Sequence, residues 1–442
     1  VETVLLYVLG IVVVLINIAV SIALHEIGHL VPAKLFGVRV GQYMIGFGPT
    51  IFSRKKGETE YGVKAIPLGG YISMAGMYPP ARAGGKAREA STGFFQTLVQ
   101  DARTASADTI EQGHENRVFY KLPIYKRVII MLGGPTMNLL IAIVLFGIVL
   151  SGIGTQGFST TIGSVSACVI PATTTSQVCT AADPAAPGAT AGLKPGDTIL
   201  SINGTKITSW AQETAIIRKS AETPLAIEIL RAGKTVSLTA TPIASARYVL
   251  DASGQIKKDA AGKSVTSTVG FLGIGPSLEL QKQPLSAVLP TVGSTISNNA
   301  KIIVTLPEKL VGIAQAAFST SPRDPNGPMS VVGAGRIAGE ISATTSIPIM
   351  TRLSYLLGIL ASLNIALFVF NLVPLLPLDG GHVAGALWEG LRRAFAKVFR
   401  RRDPGPVDTA KLVPLTFAVV IVLGAMSVLL IYADIVKPVS IN

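Results

Sequence analysis

The sequence predicts a polytopic α-helical membrane protein with four transmembrane helices, a β-element at the membrane and an extracytoplasmic α/β domain inserted between the second and third spans. Three observations carry this. The chain of 442 residues is 49% hydrophobic and only 14% charged, with a mean hydropathy of +0.52, whereas soluble domains carry about 25% charged residues. The apolar excess gathers into four runs, 4–24, 128–150, 353–376 and 412–433, each long enough to cross about 30 Å of hydrocarbon as a helix. The basic excess, a net charge of +13, sits largely beside those runs, as in Arg54-Lys55-Lys56, Lys126-Arg127 and Arg400-Arg401-Arg402.

The elements follow in chain order. Residues 1–38 form the first span with a His-rich end; no small-x-small cleavage site follows the apolar run, so a retained span is expected rather than a removed signal. Residues 39–78 alternate apolar positions with turn-forming glycines, which predicts β-hairpins. At membrane depth this is a re-entrant β-element, tolerated only where protein or a water-filled cavity satisfies its backbone. Residues 79–125 read as a cytoplasmic linker, rich in Ala, Gly, Ser and Thr up to 116, with His114 solvated. The second span is 126–153.

An extracytoplasmic α/β domain is expected over 158–245, where 188–204 predicts a short helix, a Gly196-Asp197 turn, a strand and an Asn203-Gly204 hairpin. Residues 168–187, with both cysteines, read as an insertion in it. Residues 246–345 are expected as an extracytoplasmic or surface amphipathic segment, helical over 285–318. The third span, 350–382, a basic cytoplasmic loop, 383–410, and the last span, 411–434, complete the chain.

Charge decides orientation. The segments between spans one and two and between spans three and four hold the Lys and Arg clusters, which places both in the cytoplasm and the long segment 154–345 outside. The clusters are not interleaved with aromatics, which argues against nucleic acid and for the anionic face of a lipid bilayer. Cys168 and Cys179 then lie where thiols oxidise, and a disulfide between them is expected; no CxxC motif is present.

The chemistry gathers at His25-Glu26-Ile27-Gly28-His29. On a helix, positions i and i+4 share a face, so His25 and His29 can hold one metal ion. Zinc there lowers the pKa of water to near 7, and Glu26, on the neighbouring face, is placed to take the proton. A Glu and two His at the end of an apolar span cost several kcal/mol unless paired or metal-bound, which makes function the default reading. A catalytic zinc site normally has three protein ligands. The candidate for the third is Asp379, in Asn371-Leu372-Val373-Pro374-Leu375-Leu376-Pro377-Leu378-Asp379-Gly380-Gly381-His382, where the prolines unwind the span; His382 ranks below it.

In these motifs the chain resembles the site-2 protease family, in its bacterial PDZ-containing, RseP-like branch. HExxH ends the first span, Asn-x-x-Pro-x-x-Pro-x-Asp-Gly lies in the third, and Gly133-Gly134-Pro135-Thr136-Met137-Asn138 fits the family's Gly-Pro-x-x-Asn segment. Gly192-Leu193-Lys194-Pro195-Gly196-Asp197 resembles a PDZ domain, Arg39 to Gly76 the family's re-entrant β-element, and Gly327 to Gly333 its segment before the third span. The resemblance implies an intramembrane zinc metalloprotease of the bacterial cell membrane, with Zn2+ on His25, His29 and Asp379 and Glu26 as general base. It implies substrates that are pre-trimmed transmembrane proteins, single-pass anti-sigma factors or signal-peptide remnants, in a signalling cascade. Asn371 and Asn138 become candidate donors to substrate backbone or oxyanion. The single PDZ-like module, the Cys-bearing insertion and the long linker depart from the pattern and bear on substrate gating. Two rivals remain: a prenyl-protein protease, which the Asp-Gly context disfavours, and an inactive receptor-like homologue, which the presence of Glu26 disfavours.

Overall fold

The computed structural model describes residues 2–79, 94–110, 115–174, 178–249, 256–259, 262–321, 323–324 and 327–439. His114 and much of 79–93 lie outside them. By internal contacts the chain divides into two units, Val1–Ile153 with Gln283–Asn442, and Gly154–Lys282.

In the first unit, α1 (Glu2–Leu35) leads into β1 (Val40–Lys56) and β2 (Thr59–Met74), followed by α2 (Phe94–Asp108) and α3 (Ile124–Gly147). β1 and β2 form one long antiparallel hairpin folded on itself: Phe52↔Val63 to Lys56↔Thr59 close it, and Val40↔Met74 to Ile45↔Gly70 pair its far ends. Gly46 and Gly48, both at positive φ, allow the bend between these stretches. The helix α3 runs on through a π-helical stretch, Ile148–Ile153, into the second unit.

That unit contains β3 (Thr155–Val165), α4 (Pro187–Thr190), β4 (Thr198–Ile202), β5 (Thr205–Lys206), α5 (Trp210–Lys219), β6 (Leu225–Arg231), β7 (Lys234–Ala240), β8 (Ile243–Tyr248), β9 (Thr266–Phe271) and β10 (Ile274–Gln281). The main sheet is ordered β10-β3-β4-β6-β7, with β5 paired to β4, while β8 and β9 pair separately. Alternation sets its core: Leu225, Ile227 and Ile229 of β6 face inward, onto Ile199 and Ile202 of β4. The Asn203-Gly204 turn forms as expected, both residues at positive φ (49° and 75°), which a type I′ turn requires. Ser209 caps α5 by accepting from Gln212 N. Asp197 of the Gly-Asp turn is held by Arg231 Nε at 2.7 Å, and the guanidinium keeps its carboxyl below the usual range. Cys168 and Cys179 are joined in a disulfide.

The chain returns to the first unit through α6 (Val288–Val304), α7 (Leu306–Phe318), α8 (Val331–Ala343), α9 (Ile349–Asn371), α10 (Asp379–Val398) and α11 (Val413–Val436). Among the described residues four helical stretches are long and apolar enough to cross a membrane: Glu2–Leu35, Ile124–Ile153, Ile349–Asn371 and Thr409–Val436. They match the four expected spans.

Three expectations are corrected. The linker 79–125 contains α2, which is docked: Gly76 N donates to Thr109 Oγ1, Tyr78 N to Ser106 Oγ, and Arg103 pairs with Asp408. Ser and Thr are weak helix formers, so composition hid a helix that tertiary bonds hold. Residues 246–345 are not a single surface segment. Their first part supplies the end of β8 and all of β9 and β10 to the second unit, 285–318 is helical as expected, and α8 buries Gly333, Ala334, Gly335, Ala338 and Gly339. A Cβ on Gly10 of α1 would meet Ala338 O at 2.4 Å, so glycine permits that helix contact. Finally, 383–410 is not a loop, because α10 runs to Val398; the arginine clusters had masked an amphipathic period.

Candidate metal centre

The site begins on α1, where His25 and His29 stand one turn apart with Glu26 between them, and where Glu26 and His29 are buried. His29 Nδ1 lies 2.7 Å from the carbonyl oxygen of Ile130 on α3. An Nδ1–H donating to that carbonyl leaves Nε2 as the nitrogen with a free lone pair. The side-chain amide of Asn138, also on α3, lies 3.1 Å from His25 Nδ1 through its Nδ2. Asn138 Oδ1 is buried without a partner. Turning the amide end for end gives that oxygen an Nδ1–H to accept and frees His25 Nε2 in the same way.

The third group comes from α10. After α9 ends at Asn371, the chain makes a tight turn through Pro374 and Pro377, and Asp379 is the first residue of the next helix. Gly380 and Gly381 make the turn feasible, since a Cβ on either would lie 2.4 Å from Leu372 O or 2.6 Å from Leu376 N. Asp379 Oδ2 then stands 3.2 Å from His25 Nε2, and Oδ1 stands 3.4 Å from His29 Nε2.

The two Nε2 atoms are themselves 3.2 Å apart, and each faces its own carboxylate oxygen of Asp379, at 3.2 and 3.4 Å. Tetrahedral ligands at about 2.0–2.1 Å from one zinc ion stand about 3.3 Å apart. The two imidazole nitrogens already have that spacing and the Asp379 carboxylate stands against both, one ligand atom from each residue lying within 4.8 Å of the others, so His25, His29 and Asp379 form a group that could hold a metal. Lone pairs from two imidazoles and a carboxylate converge on one point, and a cation is what relieves them.

Helix crossing makes this geometry. Gly28 of α1 and Gly133 of α3 touch backbone to backbone: a Cβ on Gly28 would meet Gly133 O at 2.2 Å, and one on Gly133 would meet Gly28 O at 1.9 Å. A Cβ on Gly134 would lie 2.2 Å from His29 Nε2 and 2.7 Å from His25 Nε2, so the metal-binding face is open because that residue has no side chain. The β-element closes another side: Tyr43 Oη donates to Ala23 O at 2.8 Å, and a Cβ on Gly70 would lie 3.1 Å from Glu26 Cγ.

Of the expected site residues, the structure brings together His25, His29, Asp379 and Glu26. Asn138, expected as a donor to substrate, stands with its amide 3.1 Å from His25 Nδ1. Asn371 ends α9, half-buried, and makes no side-chain hydrogen bond among the described residues. His382 is outside the group formed by His25, His29 and Asp379. The packing role of Gly28 and the Ile130 carbonyl were missed; Gly134 was noted only as part of the Gly-Pro-x-x-Asn segment, without its place against the two imidazoles.

Comparison with known proteins agrees with this geometry. The family model described as peptidase family M50 matches residues 13–401. The zinc metalloprotease Rip1 of Mycolicibacterium smegmatis is 33% identical over 445 residues, covering 98% of each chain. The zinc metalloprotease Rip1 of Mycobacterium tuberculosis is 31% identical, covering 99% of this chain and all of its own. The metalloprotease MmpA of Caulobacter vibrioides is 28% identical over 85% of each chain.

Proposed function

The chain belongs to peptidase family M50, the site-2 proteases, and is a multi-pass zinc metalloprotease; from that premise we propose that it cleaves peptide bonds within transmembrane segments of pre-trimmed membrane proteins. His25, His29 and Asp379 hold the zinc, and the observation that carries this is the approach of their ligand atoms: the two Nε2 atoms 3.2 Å apart, with the Asp379 carboxylate oxygens 3.2 and 3.4 Å from them. When bound, zinc supplies a Lewis acid for the scissile carbonyl and makes water acidic enough to ionise near neutral pH. Glu26 is the general base: its carboxylate takes the proton from the attacking water and returns it to the leaving amine. The Ile130 carbonyl and Asn138 hold the two imidazoles in the ligating tautomer.

A transmembrane helix hides its carbonyls in internal hydrogen bonds, so the substrate has to unwind. We assign residues 40–74 as a re-entrant β-element to which the unwound stretch adds as a strand. Its exposed Phe47, Ile51 and Phe52 support placement in an apolar medium, and its contact with α1 beside Glu26 puts that strand next to the base. Asn371, at the break after α9, donates to substrate backbone or oxyanion.

The unit Gly154–Lys282 is read as a PDZ domain outside the cytoplasm, acting as a size filter that admits trimmed substrates. Its disulfide supports an oxidising compartment, and the basic segments at the opposite ends of the spans support a bacterial cell membrane orientation with the site near the cytoplasmic side. The substrates are single-pass anti-sigma factors or signal-peptide remnants, which makes the enzyme a step in transmembrane signalling. The test is a comparison of membrane proteomes from cells carrying the native chain or Glu26→Gln. Accumulation of a trimmed single-span stub in the variant is expected; indistinguishable proteomes would count against the proposal.

A further inference from the structure

The four membrane-crossing candidates do not include α10, yet α10 joins two of them, α9 and α11, and so has both ends tied to one side of the membrane. Its amphipathicity is inverted relative to a helix of a soluble protein, which buries its apolar stripe. The face turned into the protein carries Glu389, Ala386 and Ala396, all buried. Glu389 there accepts from both Arg127 Nη atoms of α3, at 3.0 and 2.6 Å, and from Val407 N at 3.0 Å. That bidentate pair fixes which way the helix faces.

The opposite face is apolar and bare. Leu387, Trp388, Leu391, Phe395, Val398 and Phe399 are 57, 56, 61, 52, 76 and 57% exposed. At 3.6 residues per turn they fall within an arc of about 120°. At one border of the arc is a cavity of about 360 Å3, lined by Trp388, Leu391 and Phe395 together with Arg392, Arg401 and Arg402. Arg393 is paired with Glu389 at 3.0 Å, but Arg392, Arg401 and Arg402 have no ion pair among the described residues.

We infer that α10 is an interfacial helix and that this cavity binds an anionic phospholipid. The phosphate headgroup is taken by Arg392, Arg401 and Arg402, and the acyl chain lies over Trp388, Leu391 and Phe395. An apolar arc bordered by cations, with a tryptophan at the boundary, is the arrangement that lies in a membrane interface. Three unpaired guanidinium groups at the edge of that arc select a negative headgroup over a zwitterionic one. The site is separate from the metal centre and does not depend on the protease reading.

The chain has two tryptophans, so Trp210→Phe leaves Trp388 as the reporter in the full-length protein. This variant is placed in nanodiscs of mixed phosphatidylcholine and phosphatidylglycerol, with bromines on the acyl chains of one lipid or the other. Trp388 emission is expected to be quenched by both, with brominated phosphatidylglycerol more effective per mole by about twofold or more. Arg392→Gln, Arg401→Gln and Arg402→Gln together are expected to equalise the two while quenching persists. Equal quenching before those substitutions would overturn the headgroup site. Absence of quenching by either lipid would mean that water, a second copy or another protein covers the face, and would overturn the inference altogether.

Discussion

Two buried carboxylates, one in each unit, show what burial of charge does and does not signify. Glu26, on α1, is 9% exposed and shares its surroundings with His25, His29 and Asp379. Glu213, on α5, is fully buried, and neither of its carboxylate oxygens has a hydrogen-bond partner. Desolvation pushes the Glu213 pKa up to about 8, so the group enters the fold neutral. Glu26 instead stands beside His25, His29 and Asp379, a group that could hold a metal, and the proposed mechanism gives it the task of a base. The difference lies in the neighbours: one carboxylate is surrounded by groups that can complete a reaction, the other by an apolar core.

The largest effect that would separate the two is on turnover. Glu26→Gln is expected to keep its metal and lose at least about 10²–10⁴ in rate, the usual cost of removing a general base. Glu213→Gln is expected to leave turnover near native. Comparable rates for the two variants against one substrate would erase the contrast.

A second contrast is steric. Gly134→Ala places a methyl group against both imidazoles and is expected to lower metal content sharply, whereas Gly293→Ala, which meets nothing within 4 Å, is expected to change nothing. Metal analysis of both purified proteins checks this. A native metal content in Gly134→Ala would show that the rings can retreat and that the crossing is looser than described.

Third comes the buried pair beneath α10. Arg127 and Glu389 are 8 and 1% exposed; removing one member of an isolated buried pair costs about 3–5 kcal/mol, and Arg393, 3.0 Å from Glu389, offsets part of that cost. Arg127→Gln should therefore lower the thermal midpoint of the full protein in detergent, while Arg127→Gln with Glu389→Gln should recover part of the loss. A double variant as unstable as the sum of the singles would mean the two residues act independently.

The smallest effect is a pH dependence confined to the α/β unit. The folded state keeps a proton on Glu213 that the unfolded state releases above about pH 4.5, so the folded form binds more protons and stability falls as pH rises. The loss runs from about pH 4.5 to about 8 and then levels off. Hydrogen exchange of β6, corrected for intrinsic rates, should show faster opening at pH 8 than at pH 6, and Glu213→Gln should flatten that difference.

Local rules carried part of this structure. Apolar run length located the four spans, the i, i+4 spacing placed His25 and His29 on one face, and Asn203-Gly204 announced its turn. Asp379 was legible because prolines interrupt a span just before a carboxylate. What escaped depends on partners far along the chain. The helix α2 is held by residues near Gly76 and by Asp408; β10 finds β3 across more than a hundred residues. The role of Gly134 is visible only once α1 and α3 cross, as is the contact between Asn138 and His25. The helical character of α10 was hidden by its arginines, which drew attention to charge and away from the period of its apolar residues.

The central claim is that Asp379, 350 residues beyond His29 in the chain, completes the zinc site. The most direct measurement is zinc per polypeptide in purified native, Glu26→Gln and Asp379→Ala proteins, each shown by circular dichroism to be folded. Native and Glu26→Gln chains are expected to carry close to one zinc each, and Asp379→Ala far less. A full complement of zinc in folded Asp379→Ala would contradict the ligand set.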